Sequence, residues 1–222
     1  MGEPRVSAIV LAAGSGSRLG TGAPKALLAV GGVPMVVRAV RSVAVLATEV
    51  VVAAPAGSEE RVRDSLVSAG EVRIVTGGPT RQASVRAALE AVSLGCDVIV
   101  VHDAARPFAT TELTATVISV VVGGDEGAVP VVAIPDTVKR VRGGQVVATE
   151  DRSELGLAQT PQAFRASVLR EAHARAEAAG LDLTDDAALV EWAGHRVAVV
   201  PGEPGNFKIT TVADLERAGT HG

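Results

Sequence analysis

Residues 11–25 are the stretch best suited to chemistry: Gly14, Gly16, Gly20 and Gly22 alternate with small residues, Arg18 lies among them, and Lys25 follows Pro24. Glycine lets backbone N–H groups approach an anion with no Cβ in the way, and the two cations add charge that amides lack. The stretch is suited to cradling a polyanion, and a nucleotide is the first expectation. Two familiar phosphate motifs fail in register. A Walker loop needs Gly-Lys-Ser/Thr, whereas Lys25 stands between Pro24 and Ala26. The dinucleotide fingerprint, started at Gly14, runs Gly14, Gly16, Leu19 and loses its third glycine. The remaining alternative is a plain glycine-rich turn after a strand.

Lysine usage favours the cradle. The 21 basic residues comprise eighteen arginines and three lysines, Lys25, Lys139 and Lys208, so arginine carries nearly all routine surface charge. An ammonium is a compact point charge that can follow a phosphate as its geometry changes, whereas the arginine fork suits fixed bidentate contacts. Lys139, in a Lys-Arg pair, reads as ordinary surface.

Such groups need a scaffold. Apolar runs at Val6–Leu11, Val50–Ala54, Val72–Val75, Val98–Val101, Ala128–Ile134 and Val197–Val200 read as strands, mostly buried on both faces. Helical patterns fall between them at Pro34–Leu46, Ser58–Ser68, Arg81–Val92, Thr110–Val121 and Phe164–Ala179. The alternation predicts an α/β fold, a Rossmann-like, mostly parallel sheet with helices on both faces, forming one domain over residues 1–222. Residues 135–159 break the pattern. Two polar-apolar runs meet at Gly143-Gly144, which predicts a β-hairpin. A hairpin is marginal alone, so this one is expected to project as an arm and pack on a second copy of the chain, or else to fold back on its own domain.

Composition bounds the rest. A chain of 222 residues, 47% hydrophobic with net charge −4, reads as a soluble globular protein. The acidic balance argues against extended nucleic-acid binding. The single cysteine, Cys96, cannot form an internal disulfide and reads as core packing. Glu3 and Arg5 interrupt any apolar leader, and no apolar stretch is long enough for a bilayer, so a cytoplasmic protein is expected.

Ligands of open α/β sheets bind beyond the carboxyl ends of the strands. Three loops should therefore converge there: the glycine loop ending at Lys25; Gly77-Gly78-Pro79-Thr80-Arg81-Gln82-Ala83-Ser84; and His102-Asp103-Ala104-Ala105-Arg106-Pro107. Ser84 offers a hydroxyl to a base edge. Asp103 offers a carboxylate at the rim, with a helix cap or a partner for Arg106 as its plainer uses. His102, beside the strand, reads as a satisfied core residue.

Taken in order, Ala12-Ala13-Gly14-Ser15-Gly16-Ser17-Arg18 with Pro24-Lys25, Gly77-Gly78 with Arg81 and Ser84, Val101 to Pro107, Asp136-Thr137, Thr160-Pro161-Gln162, Thr184-Asp185-Asp186 and Phe207-Lys208-Ile209-Thr210 resemble the 2-C-methyl-D-erythritol 4-phosphate cytidylyltransferases. The resemblance spans almost the whole chain. It implies the nucleotidyltransferase fold, cytidylyl transfer from CTP in the non-mevalonate route to isoprenoids, a magnesium requirement, and a homodimer joined through an exchanged hairpin arm. It also implies that Ala12, Ala13, Gly14, Gly78 and Ser84 surround the base and ribose of CTP. Arg18, Lys25 and Lys208 would hold the phosphates, and Asp103, Arg106 and Thr160 would meet methylerythritol phosphate. Thr137 and Arg152 would reach it from the partner's arm, and Asp103 would be a direct ligand of magnesium. Ser17 and Pro79 depart from the family pattern, the first where a second basic residue is frequent, the second where a polar side chain follows the glycines. Two rivals stand beside this expectation: a ribitol 5-phosphate cytidylyltransferase and a nucleotide-binding protein without turnover.

Overall fold

Runs of valine, isoleucine and alanine with scarcely a polar side chain are best satisfied as strands covered on both faces, and the chain builds its centre from them. The computed structural model describes residues 2–14 and 24–220. Arg18, Ser17 and the glycines at 16, 20 and 22 lie outside the described residues.

The first half alternates strand and helix as expected: β1 (Val6–Leu11), a small β2–β3 ribbon (Ala29–Val30 and Val33–Pro34), α1 (Met35–Ala44), β4 (Glu49–Ala54), α2 (Glu59–Leu66), β5 (Arg73–Thr76), α3 (Arg81–Ala91), β6 (Val98–Asp103), α4 (Thr111–Val122) and β7 (Gly127–Ala133). Then come β8 (Lys139–Arg142), β9 (Gln145–Thr149), β10 (Gly156–Ala158), β11 (Gln162–Arg165), α5 (Ala166–Ala179), α6 (Asp186–Trp192), β12 (Val197–Pro201) and α7 (Val212–Gly219). Side-chain caps set several helix starts. Thr80, Thr110 and Asp185 each accept the N–H three residues on, and Thr211 with Asp214 forms a capping box.

Eight strands form the main sheet in the order β10-β7-β11-β6-β1-β4-β5, with β12 on the outer side of β7. Six of them run the same way, and only β10 and β11 oppose the rest. The carboxyl ends of β1, β4, β5 and β6 therefore share one edge.

Alternation along each strand divides the core in two. Ala8, Val10, Val50, Val52, Val98 and Val100 face α1, α2 and α4. Ile9, Val51, Ile99, Val101 and Phe164 face α3, α5 and α6. A third small cluster joins Val30 and Met35 to Ile209 and Ala218, with Phe108, Phe207 and Leu215 against it. It ties the C-terminal segment to the body.

Phe164 corrects the expected helix start. It lies in β11, hydrogen-bonded between β6 and β7, and the helix begins at Ala166. The hairpin forms at the expected turn, where Gly143 and Gly144 hold φ of 56° and 77°, the left-handed values that a two-residue hairpin turn needs. Strands β8 and β9 make a two-stranded sheet of their own, while residues 156–158 of the expected arm return to the main sheet beside β7. Among the described residues, no helix is long and apolar enough to cross a membrane.

Candidate active site

Single backbone hydrogen bonds carry the sheet pattern into each of the three loops at its carboxyl edge. Ala12 N donates to Ala53 O at 2.9 Å, Gly77 N to Ala54 O at 2.8 Å, and Ala104 N to Leu11 O at 3.0 Å. Glycine at 77 lets two loops touch, because a Cβ there would stand 2.4 Å from the Ala13 methyl. Between the loops lies a cleft of about 400 Å³. Ala12, Ala13, Gly14 and Lys25 line it on one side and Gly78 to Arg81 with Ser84 on another; Asp103 to Ala105 and Lys208 with Thr210 complete it.

The expected convergence is therefore present for Ala12, Ala13, Gly14, Lys25, Gly78, Ser84, Asp103 and Lys208. The Ser84 hydroxyl donates within its own turn, 2.9 Å from Thr80 O, leaving its lone pairs as acceptors. Arg106, Thr160, Thr137 and Arg152 do not line the cleft. Arg106 donates to the carbonyls of Asn206 and Ala158 at 2.8 and 3.0 Å. Thr160 is buried, with Oγ1 accepting from Asp103 N at 3.0 Å and 2.9 Å from His102 Nδ1. Thr137 and Arg152 are exposed, and Arg152 donates to Pro135 O. Lys139 is surface, as read, donating to Thr149 Oγ1.

Asp103 is neither a helix cap nor a side-chain partner of Arg106. Its Oδ2 accepts from Lys208 Nζ at 2.7 Å and its Oδ1 from Arg81 Nε at 3.2 Å. Burial alone would raise this carboxyl, but Arg81 and Lys208 outweigh burial and hold it far below the usual carboxylate range. It is an anion at every working pH. Arg81 is itself shared, donating through NH1 to Asp186 at 2.7 Å. Burial opposes its charge, and the two carboxylates more than restore it. Lys208 reaches the cluster from the far end of the chain, where Ile209 N donates to Ala105 O at 2.9 Å.

Sequence reasoning gave Arg81, Asp186 and Thr210 no role, although each stands inside a quoted motif. The available signal was position: Arg81 opens α3 directly after the Thr80 cap, and Asp185 takes the capping duty of α6, leaving Asp186 free to turn inward.

His102 is fully buried, and desolvation pushes its imidazole down to about 4 against an ordinary 6.5. The ring is neutral in the folded protein, while the unfolded chain takes up a proton below its ordinary value. Stability from this group is thus complete above about pH 6.5 and is lost as pH falls toward 4, by about 3 kcal/mol in all. NMR titration of the His102 ring should show no protonation above about pH 5; a midpoint near 6.5 would contradict the burial argument.

Comparisons with known proteins identify the family. The family model described as IspD, 2-C-methyl-D-erythritol 4-phosphate cytidylyltransferase, matches residues 6–221. The chain belongs to this family. The 2-C-methyl-D-erythritol 4-phosphate cytidylyltransferase of Frankia casuarinae is 48% identical over 96% of this chain and 79% of its own length. The bifunctional enzyme IspD/IspF of Clavibacter michiganensis subsp. michiganensis is also 48% identical, over 97% of this chain, but the chain spans only about half, 54%, of that relative. The crystal structure of the 2-C-methyl-D-erythritol 4-phosphate cytidylyltransferase from Thermus thermophilus superposes with a TM-score of 0.81, at 38% identity, covering 97% of this chain and 98% of that one. The fold is the nucleotidyltransferase fold of this family.

Proposed function

We propose that this chain transfers the cytidylyl group of CTP to 2-C-methyl-D-erythritol 4-phosphate, giving 4-diphosphocytidyl-2-C-methyl-D-erythritol and pyrophosphate. The observation that carries the reading is the Arg81–Asp103–Lys208 cluster set in a glycine-walled cleft with Lys25. The acceptor brings its own nucleophile. A phosphate monoester has a second pKa near 6, so its oxygen is largely ionised at neutral pH. That oxygen forms a bond to the α-phosphorus of CTP as the bond to the bridging oxygen of the β-phosphate breaks, and pyrophosphate leaves with the electron pair. No general base is needed, and none faces the cleft among the described residues apart from the ion-paired Asp103.

The chain must hold two polyanions in line and neutralise the charge they share with the α-phosphoryl group. Lys25 and Lys208 meet the phosphates from opposite ends of the sequence. Gly14, Gly78 and their neighbours leave room for base and ribose. The donor set fits magnesium: a hard cation that keeps phosphate oxygens and waters as most of its ligands needs one protein carboxylate, and Asp103 is the one acid on the cleft wall among the described residues. No group of three or more potential ligands is present among those residues. Asp103 would hold the ion, which when bound neutralises charge on the departing diphosphate.

The arm completes the site across a homodimer. Val141, Val146 and Val147 on it are 52–62% exposed, apolar surface that a second copy can cover. Thr137 and Arg152 stand away from their own cleft, and in this reading they serve the partner's.

Pyrophosphate release from CTP and magnesium, with methylerythritol phosphate and ribitol 5-phosphate compared at equal concentration, tests the reading. We expect at least about a tenfold preference for methylerythritol phosphate, the discrimination a site built to bind substrate hydroxyls can supply. The opposite preference would move the protein to polyol phosphate chemistry, and silence with both would leave a binding protein.

A further inference from the structure

The paired carboxylates of Thr184-Asp185-Asp186 have divided duties. Asp185 caps α6 through Ala188 N at 2.9 Å and accepts from Gln162 Nε2 at 2.9 Å, both structural contacts. Asp186 is 1% exposed and takes no part in the cap. Its Oδ2 receives Arg81 NH1 at 2.7 Å, and its Oδ1 lies 3.3 Å from His173 Nε2 on α5. A continuous path therefore runs from His173 through Asp186, Arg81 and Asp103 to the amine of Lys208.

Burying a carboxylate is costly, and an ion pair so placed is weak support for stability by itself. Its geometry does something a packed apolar residue would not. The guanidinium is planar and rigid, so carboxylates on Nε and NH1 fix its position and plane together. Arg81 so fixed engages only Oδ1 of Asp103, leaving Oδ2 turned to Lys208. The charges also balance, with two cations against two anions. Remove the charge of Asp186, and Arg81 is drawn wholly to Asp103, competing with Lys208 for the same carboxylate. Burial would raise the Asp186 carboxyl, but the charge of Arg81 and the hydrogen bond from His173 keep it ionised.

We propose that Asp186 is a positioning residue for cytidylyl transfer, acting through Arg81 to hold the Asp103–Lys208 pair in its working arrangement. This rests on the functional reading above. It predicts that Asp186→Asn, which keeps the shape and removes the charge, lowers kcat about tenfold or more while the KM for CTP changes less than about threefold.

A double-mutant cycle with Arg81→Gln separates positioning from folding. If Asp186 acts through Arg81, the double variant has the kcat of Arg81→Gln alone. Independent, multiplying losses overturn the inference. Asp185→Ala, which loses the cap, is the structural control and should lower the melting temperature with kcat unchanged. Should Asp186→Asn fail to fold, the double variant, in which both charges go together, still gives the comparison with Arg81→Gln. Pyrophosphate release by the unaltered protein is the reference. No release there overturns the functional reading and this inference with it; normal release there, with unchanged kcat in Asp186→Asn, overturns this inference alone.

Discussion

Replacing Lys208 by alanine should lower turnover about a hundredfold or more, the loss found when a preorganised donor to a developing charge is removed. The surrounding backbone does not depend on the amine. Ile209 is fully buried, Phe207 lies 5.3 Å from Phe108 between ring centroids, and Arg217 stacks 4.1 Å above Phe207. Asp103 keeps Arg81 as its partner when the lysine goes. Binding energy for CTP should fall less than the rate, because the cleft walls around base and ribose are untouched. Single-turnover kinetics together with a thermal melt check both halves of the expectation. Lys25→Ala should act in the same direction, since it removes the second ammonium from the cleft. Near-normal turnover in either variant, with a normal melt, would remove the lysines from the chemistry.

The second large effect belongs to the proposed dimer. Arg152→Ala and Lys25→Ala chains should each be nearly inactive alone, and mixing them should restore activity. In a heterodimer, the body that keeps Lys25 receives the arm that keeps Arg152, so one site is whole and the other lacks both residues. With random exchange half the dimers are mixed, and total turnover should approach about a quarter of the unaltered level. Equal amounts of differently tagged chains, refolded together and assayed for pyrophosphate, give the number. Heterodimers that form yet stay silent would confine the site to one subunit.

The parallel half of the fold could be read from sequence because each strand there is a continuous apolar run: β1, β4 and β6 start and end within two residues of the expected bounds. β11 could not. It has four residues, two of them polar, and it exists because β6 and β7 offer it hydrogen bonds from both sides. The adjoining helical pattern absorbed its Phe164. Helices α6 and α7 were missed; their starts are set by caps, Asp185 for α6 and the Thr211–Asp214 box for α7. In the cleft, the loops were legible from glycine and lysine. The Arg81–Asp186 contact was not, because it joins residues 105 apart, and nothing local announces which of eighteen arginines will meet a buried acid.

The two-sided core separates what holds this protein together from what it acts upon. The central strands give alternate residues to different helical layers, and β1 and β6 give their last residues, Leu11 and Asp103, to the cleft. A change at Ile9 is felt by the layer of α3, α5 and α6, while its neighbour Val10 answers to the opposite layer. Neither is among the residues that line the cleft. Lineages of this fold can therefore drift in either interior, or exchange one acceptor for another at the rim, as nearly independent histories written on one sheet.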